Sequence, residues 1–135
     1  TGACILADDI CFNLSDAREL IHNKCCDAIS VYPGKNGGII RSRQIVDLAA
    51  EHGIPCSIGS NLEYDVATAA MGHLVVSHEN MNVEKIPGDL LGPDYHEQRI
   101  VQNPIRIEGP LTTLNETAGL GIELDWDTLC GQFTG

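Results

Sequence analysis

Apolar and polar positions alternate along the first eighty residues in a pattern that repeats three times. Ala3 to Ala7 is a short apolar run that stops at Asp8-Asp9. After a polar break, Ala17, Leu20 and Ile21 fall on one face of a helical stretch for which Ser15, followed by Asp16, is the expected N-cap. Ala28 to Val31 is the second apolar run and ends at Tyr32-Pro33-Gly34. From Gly38, the apolar positions Ile39, Ile45, Leu48 and Ala49 recur at helical spacing, and Gly53 with Pro55 is a stop signal. Ile54 to Ile58 is a third strand, and from Glu63 the residues Val66, Ala69, Ala70, His73 and Leu74 form the stripe of a third helix.

Three strand-plus-helix units in a row predict right-handed crossovers and a parallel sheet, an α/β fold. Such sheets carry chemistry at the C-terminal ends of their strands. Asp8, Asp9, Tyr32, Ser60 and Asn61 fall at those ends. Beyond residue 80 the periodicity fades. Val83 to Leu91 reads as a fourth, irregular strand, Arg99 to Ile107 as an exposed strand or hairpin, and the glycine-punctuated tail from Ala118 to Ile122, with Leu124 and Trp126, as a segment that packs back.

Composition narrows the function classes. The 135 residues suit one domain. Nineteen acidic against eight basic residues give a net charge of -11, without a basic patch to track phosphates, so nucleic acid is not an expected partner. No apolar run reaches the roughly 20 residues of a membrane span, and a cytoplasmic protein without a membrane partner is expected. Six cysteines lack the spacing of a zinc site and read as free, mostly buried thiols. His73 on its apolar stripe reads as a core residue. The first residue is Thr1, which is consistent with a processed, trimmed or incomplete chain.

The carboxylates at the strand ends suit a hard divalent cation, and equally suit helix capping or a solvated loop. For Ser60 and Asn61 the alternatives are a ligand contact or a helix N-cap before Glu63. Tyr32 is either a packed aromatic capping the sheet or a group that acts on a ligand.

The order of these features resembles the enolase superfamily, in its muconate lactonizing and mandelate racemase-like branch. The resemblance rests on a strand ending Ala-Asp-Asp, a second ending Tyr-Pro-Gly-Lys-Asn-Gly-Gly, the run Ile-Pro-Cys-Ser-Ile-Gly-Ser-Asn-Leu-Glu, the stretch Asp89 to Pro93, and the tail Ala118 to Ile122. It implies the C-terminal part of a (β/α) TIM-type barrel from the fifth strand to the last over residues 1–98. Residues 99–135 would then be a segment that packs on the barrel or returns to a capping domain.

The implied chemistry is removal of the proton alpha to a carboxylate, through an enediolate held by Mg²⁺ or Mn²⁺. Asp8 matches the metal ligand of the fifth strand, and Asp9 would orient a base or a metal-bound water. Tyr32 stands where that branch has a catalytic lysine, and Lys35 is either a second candidate for the acid/base role or a structural, anion-binding cation. Ser60, Asn61 and Asp89 are the substrate-contact candidates.

A phenol is a poor base at neutral pH. The expected parent is therefore a hydroxy-acid or acid-sugar dehydratase, or a cycloisomerase, acting on a small carboxylate. A racemase or epimerase, and a non-catalytic homologue that lost its lysine, are the alternatives. Expected partners are the remainder of the barrel, the capping domain and further copies in a homo-oligomer. The piece alone is expected to be inactive.

Overall fold

The computed structural model describes residues 2–131. Three parallel strands, β1 (Leu6–Ala7), β2 (Ala28–Val31) and β3 (Cys56–Ile58), lie side by side in chain order. The helices α1 (Leu14–His22), α2 (Pro33–Asn36), α3 (Ile39–Glu51) and α4 (Asp65–Val76) follow them. The fold is α/β, as the repeated pattern requires.

Register sorts the sheet into two faces. Ala7 pairs with Ile29 and Ile29 with Cys56, while Val31 pairs with Ile58. Because side chains alternate along a strand, these five share one face. They form the core with Ala17 and Leu20 of α1, Ile45, Val46 and Ala49 of α3, and Met71 and Leu74 of α4. The other face carries Leu6, Ala28, Ser30 and Ser57. It is the polar face, and it leads up to Asp8, Tyr32 and Gly59. All four residues of β2 are buried, as expected for a strand flanked on both edges and covered on both faces.

Helix ends follow local chemistry. The expected cap at Ser15 is corrected to Asn13: its Oδ1 accepts from the backbone N–H groups of Ser15 at 2.8 Å and Asp16 at 3.1 Å, and Asp16 Oδ2 accepts from the Asn13 N–H in return. Ser15 competes poorly because it lies inside the first turn. Between β2 and α3 the chain must reverse within a few residues. Gly37 at φ 80° and Gly38 at φ 106° take up backbone angles that a side chain resists.

The fourth strand expected at Val83 to Leu91 does not form a ladder. Cys56 donates to Asn80 O and Asn82 donates to Cys56 O, and the chain then loops out before Asp89 donates to Ile58 O at 2.9 Å. The segment thus flanks β3 with backbone bonds at its two ends only. The hairpin expected from Arg99 starts later, as β4 (Arg106–Glu108) paired antiparallel with β5 (Leu111–Thr113). The glycine-rich tail does pack back: Val101 bridges Leu124, and Asp125 donates to Ile100 O. A terminal helix, α5 (Trp126–Gly131), buries none of its residues. Residues 132–135 of the expected C-terminal segment lie outside the described residues.

The junction between α4 and that segment is ionic. Asp65 is fully buried at the start of α4 and accepts from Arg99 Nε at 2.7 Å, from a second guanidinium nitrogen, and from the Ile105 N–H at 2.9 Å. Burial alone would raise the Asp65 pKa, but the Arg99 hydrogen bonds, the Ile105 N–H and the Arg99 charge carry it below the usual carboxylate range.

All six cysteines are free, with Cys11, Cys26 and Cys56 buried and the other three exposed, so the expectation of mostly buried thiols holds for half of them. Burial raises the Cys11 pKa to about 11 and that of Cys56 to about 12, which keeps both as inert thiols. His73 is half-buried against the tail, with Nε2 3.4 Å from Leu120 O. No helix among the described residues is long and apolar enough to cross a membrane.

Candidate functional site

The C-terminal ends of the three strands bring Asp8, Asp9, Tyr32 and Lys35 together. Tyr32 continues β2 by one residue and serves as N-cap of α2, its backbone N–H bound by Asn36 Oδ1 at 2.9 Å. Its ring is buried, and its hydroxyl donates to Asp9 Oδ1 across 3.4 Å.

The ring has room because of a bare backbone on the neighbouring strand. A Cβ at Gly59 would stand 2.6 Å from Tyr32 Cδ1 and 2.4 Å from Ser30 Oγ. Burial first, and then the charges of Asp8 and Asp9 and the hydrogen bond to Asp9, push the phenol pKa up to about 12. At neutral pH Tyr32 is a protonated donor.

Lys35 reaches back from α2 into the gap between β1 and β2. Its side chain is 2% exposed, whereas that of Asp8 is 51% exposed. The ammonium donates to Asp8 Oδ1 at 2.6 Å, to Asp8 O at 2.8 Å and to Ser30 O at 3.1 Å. It also stands 4.5 Å from the centre of the Tyr32 ring. One carboxylate oxygen of Asp8 is therefore held, and the half-exposed side chain offers the other.

The loop after β3 holds Ser60 and Asn61, but neither caps α4. The cap residue is Tyr64 and makes no side-chain cap bond. The N-cap alternative is corrected: α4 begins at Asp65, and Ser60 Oγ accepts from the Leu62 N–H at 2.8 Å to close a turn of its own. Asn61 donates its backbone N–H to Glu63 Oε2. Asp89 lies beside the end of β3, where its Oδ1 accepts from the Leu91 N–H at 3.2 Å.

Glu63 was not singled out by sequence reasoning. Its Oε1 is buried without a hydrogen-bond partner among the described residues, 3.3 Å from where a Cβ on Gly34 would stand. Its charge is among those that raise the Tyr32 pKa. A buried carboxylate oxygen without a donor is costly, which makes Glu63 Oε1 an acceptor open to a hydrogen-bond donor. In the sequence, Glu63 reads as the first residue of a helix; the leading Ile-Gly-Ser-Asn turn is the one signal that places it at a strand end instead.

Among the described residues, no three carboxylates, histidines or cysteines converge to hold a metal. Asp8 and Asp9 have the oxygen donors that a hard cation takes, but they make one side of such a site and not the whole. A groove of about 680 Å³ lined by Arg18, His22, Lys24 and His52 over Leu48 and Ile54 opens at the opposite ends of the strands, away from all of these groups.

Comparison with known proteins bears on the fold and the family. Residues 1–128 match the family model described as Enolase C-terminal domain-like. Muconate cycloisomerase 1 of Rhodococcus opacus is 30% identical over 125 residues, which are 93% of this chain and 33% of that protein. Hydrophobic dipeptide epimerase of Enterococcus faecalis is 33% identical over 120 residues, 87% of this chain and 33% of the relative. The solved structure of the muconate lactonizing enzyme from Pseudomonas putida superposes with a TM-score of 0.90 at 26% identity, over 97% of this chain and 36% of that one.

The chain thus spans about a third of the length of the curated relatives it matches. The parallel sheet order and these matches lead to one conclusion: the chain belongs to the enolase C-terminal domain-like family, and its fold is the C-terminal part of the enolase-superfamily barrel.

Proposed function

We propose that the intact protein removes the proton alpha to a carboxylate of a hydroxy acid or acid sugar, then expels water or closes a lactone ring, as a dehydratase or cycloisomerase. The observation that carries this reading is the phenol of Tyr32, buried at the end of β2 with its hydroxyl directed at Asp9 Oδ1. A group that keeps its proton can donate to a developing oxyanion or a departing hydroxide, but it cannot abstract a proton at neutral pH. Chemistry that needs two opposed bases is thereby disfavoured, and chemistry that needs one base and one donor is favoured.

Each residue then has a stated part. Tyr32 donates, and Asp9 orients its hydroxyl. Glu63, with its buried, unpartnered Oε1 nearby, faces the same pocket of the strand ends as a hydrogen-bond acceptor. Ser60, Asn61 and Asp89 frame the substrate on the β3 side. Asp8, with Asp9 behind it, would hold Mg²⁺ or Mn²⁺ together with carboxylates from outside this chain. When bound, that cation supplies positive charge against the substrate carboxylate. The base, the remaining metal ligands and the cover over the substrate come from the rest of the barrel and the capping domain, and the protein assembles as a homo-oligomer.

The test follows α-hydroxy acids and acid sugars by proton NMR in D₂O with the intact protein and Mg²⁺. Loss of water or ring closure is the expected result. Washout of the α-proton with inversion from both configurations would instead make the protein a racemase or epimerase, and an absence of exchange and product across the panel would leave a binding homologue. Tyr32→Phe is expected to lower kcat about 10²-fold, the scale for removing one oxyanion donor.

A further inference from the structure

Lys35 is the most buried ammonium of the site, and every one of its three N–H bonds is engaged. Its acceptors are Asp8 Oδ1, Asp8 O and Ser30 O. A lysine has three donors and no acceptor, so nothing remains with which to approach a substrate. The contacts tie two strands together at the point where β1 gives way to the Asp8-Asp9 loop, and the cation faces the Tyr32 ring. Burying an ammonium to 2% exposure is expensive unless it is paired, and here a single carboxylate and two carbonyls hold it.

We propose that Lys35 is a positioning residue: it sets the Asp8 carboxylate by gripping one oxygen and seats the ring of Tyr32 beneath its charge, without exchanging a proton itself. This rests on reading the strand ends as the reacting face. It goes beyond that reading by removing Lys35 from the acid/base groups and by making Asp8 and Tyr32 depend on one cation. Losing that cation frees a half-exposed carboxylate to rotate and lets the ring shift by a fraction of an ångström to an ångström, a displacement on the scale that costs about 10²-fold in rate.

The experiment uses the intact protein labelled with 3-fluorotyrosine, the Tyr32 resonance being assigned by its loss in Tyr32→Phe. Lys35→Met is expected to displace and broaden the ¹⁹F signal of Tyr32, to lower kcat about 10²-fold, and to leave both limbs of the pH profile of kcat/KM in place. Loss of a limb would overturn the proposal, because Lys35 would then be exchanging a proton. An unmoved ¹⁹F signal would overturn it too, because the ring would not depend on the cation.

If Lys35→Met does not fold, Lys35→Arg decides the matter by the same two readings. Arginine keeps the charge in a head of different shape, so a displaced signal and a fall in kcat of about tenfold with both limbs retained are expected. The ¹⁹F reading needs no turnover. A protein inactive on every acid tried would therefore refute the proposed function while still deciding the role of Lys35.

Discussion

The strand-and-helix units and the C-terminal segment are held together by different forces. From Leu6 to Val76 the chain is stabilised by a shared apolar core and a parallel ladder. From Arg99 to Asp125 only Val101 and Ile105 are buried apolar residues, and polar side chains bind the backbone groups. Asn103 Nδ2 donates to Gly121 O at 2.8 Å and Asn103 Oδ1 accepts from the Glu123 N–H at 2.7 Å, while Asn115 Nδ2 bridges Asn103 O and Gly121 O. The Asp65–Arg99 pair joins the two regions. Burial by periodic apolar faces is tolerant of small changes, whereas a network of single polar contacts fails one contact at a time.

The strongest way to break this division is at the junction. Asp65→Ala leaves Arg99 and the Ile105 N–H without their buried partner and is expected to cost about 3–5 kcal/mol in urea denaturation of the intact protein. The pH dependence has a definite sign. The folded pKa of Asp65 is depressed, so its contribution is fully present above the unfolded value of about 3.9 and is lost as pH falls through the folded value. A pH titration of stability should therefore stay level through neutrality on this account and drop on the acid side, and Asp65→Ala should flatten that drop.

Ile45→Ala is next, at about 3 kcal/mol, because Ile45 is fully buried between sheet and helices. Its loss should lower the denaturation midpoint of both regions together. The smallest effect is expected from Asn103→Ala, about 1–2 kcal/mol. It should speed amide exchange in residues 121–125 while leaving the amides of β2 protected. Equal exchange in both regions would erase the distinction between them.

The same division explains what could be read from the sequence. Ala28 to Val31 is recognisable as a buried strand because four apolar or small residues stand between turn signals, and Gly53 announces the end of α3. The rule that parallel sheets work at their C-terminal ends placed Asp8, Asp9 and Tyr32 in one neighbourhood before any coordinates. What escaped was decided by partners distant in the chain. Arg99 meets Asp65 across 34 residues with no apolar rhythm to advertise it. Glu63 looked like an ordinary helix start because its environment comes from Gly34, on a different unit. Asn13 displaced Ser15 as a cap by two positions, a difference within the ambiguity of where a first turn begins.

The missing side chain at Gly59 carries one more consequence. Since a single methyl there would stand inside the van der Waals surface of the aromatic on the adjoining strand, positions 32 and 59 are not two independent choices. Any sequence that fills position 59 must give up a flat ring at position 32 or tilt it outward, so the placement of the phenol is written as much in the residue that has no side chain as in the one that bears the hydroxyl.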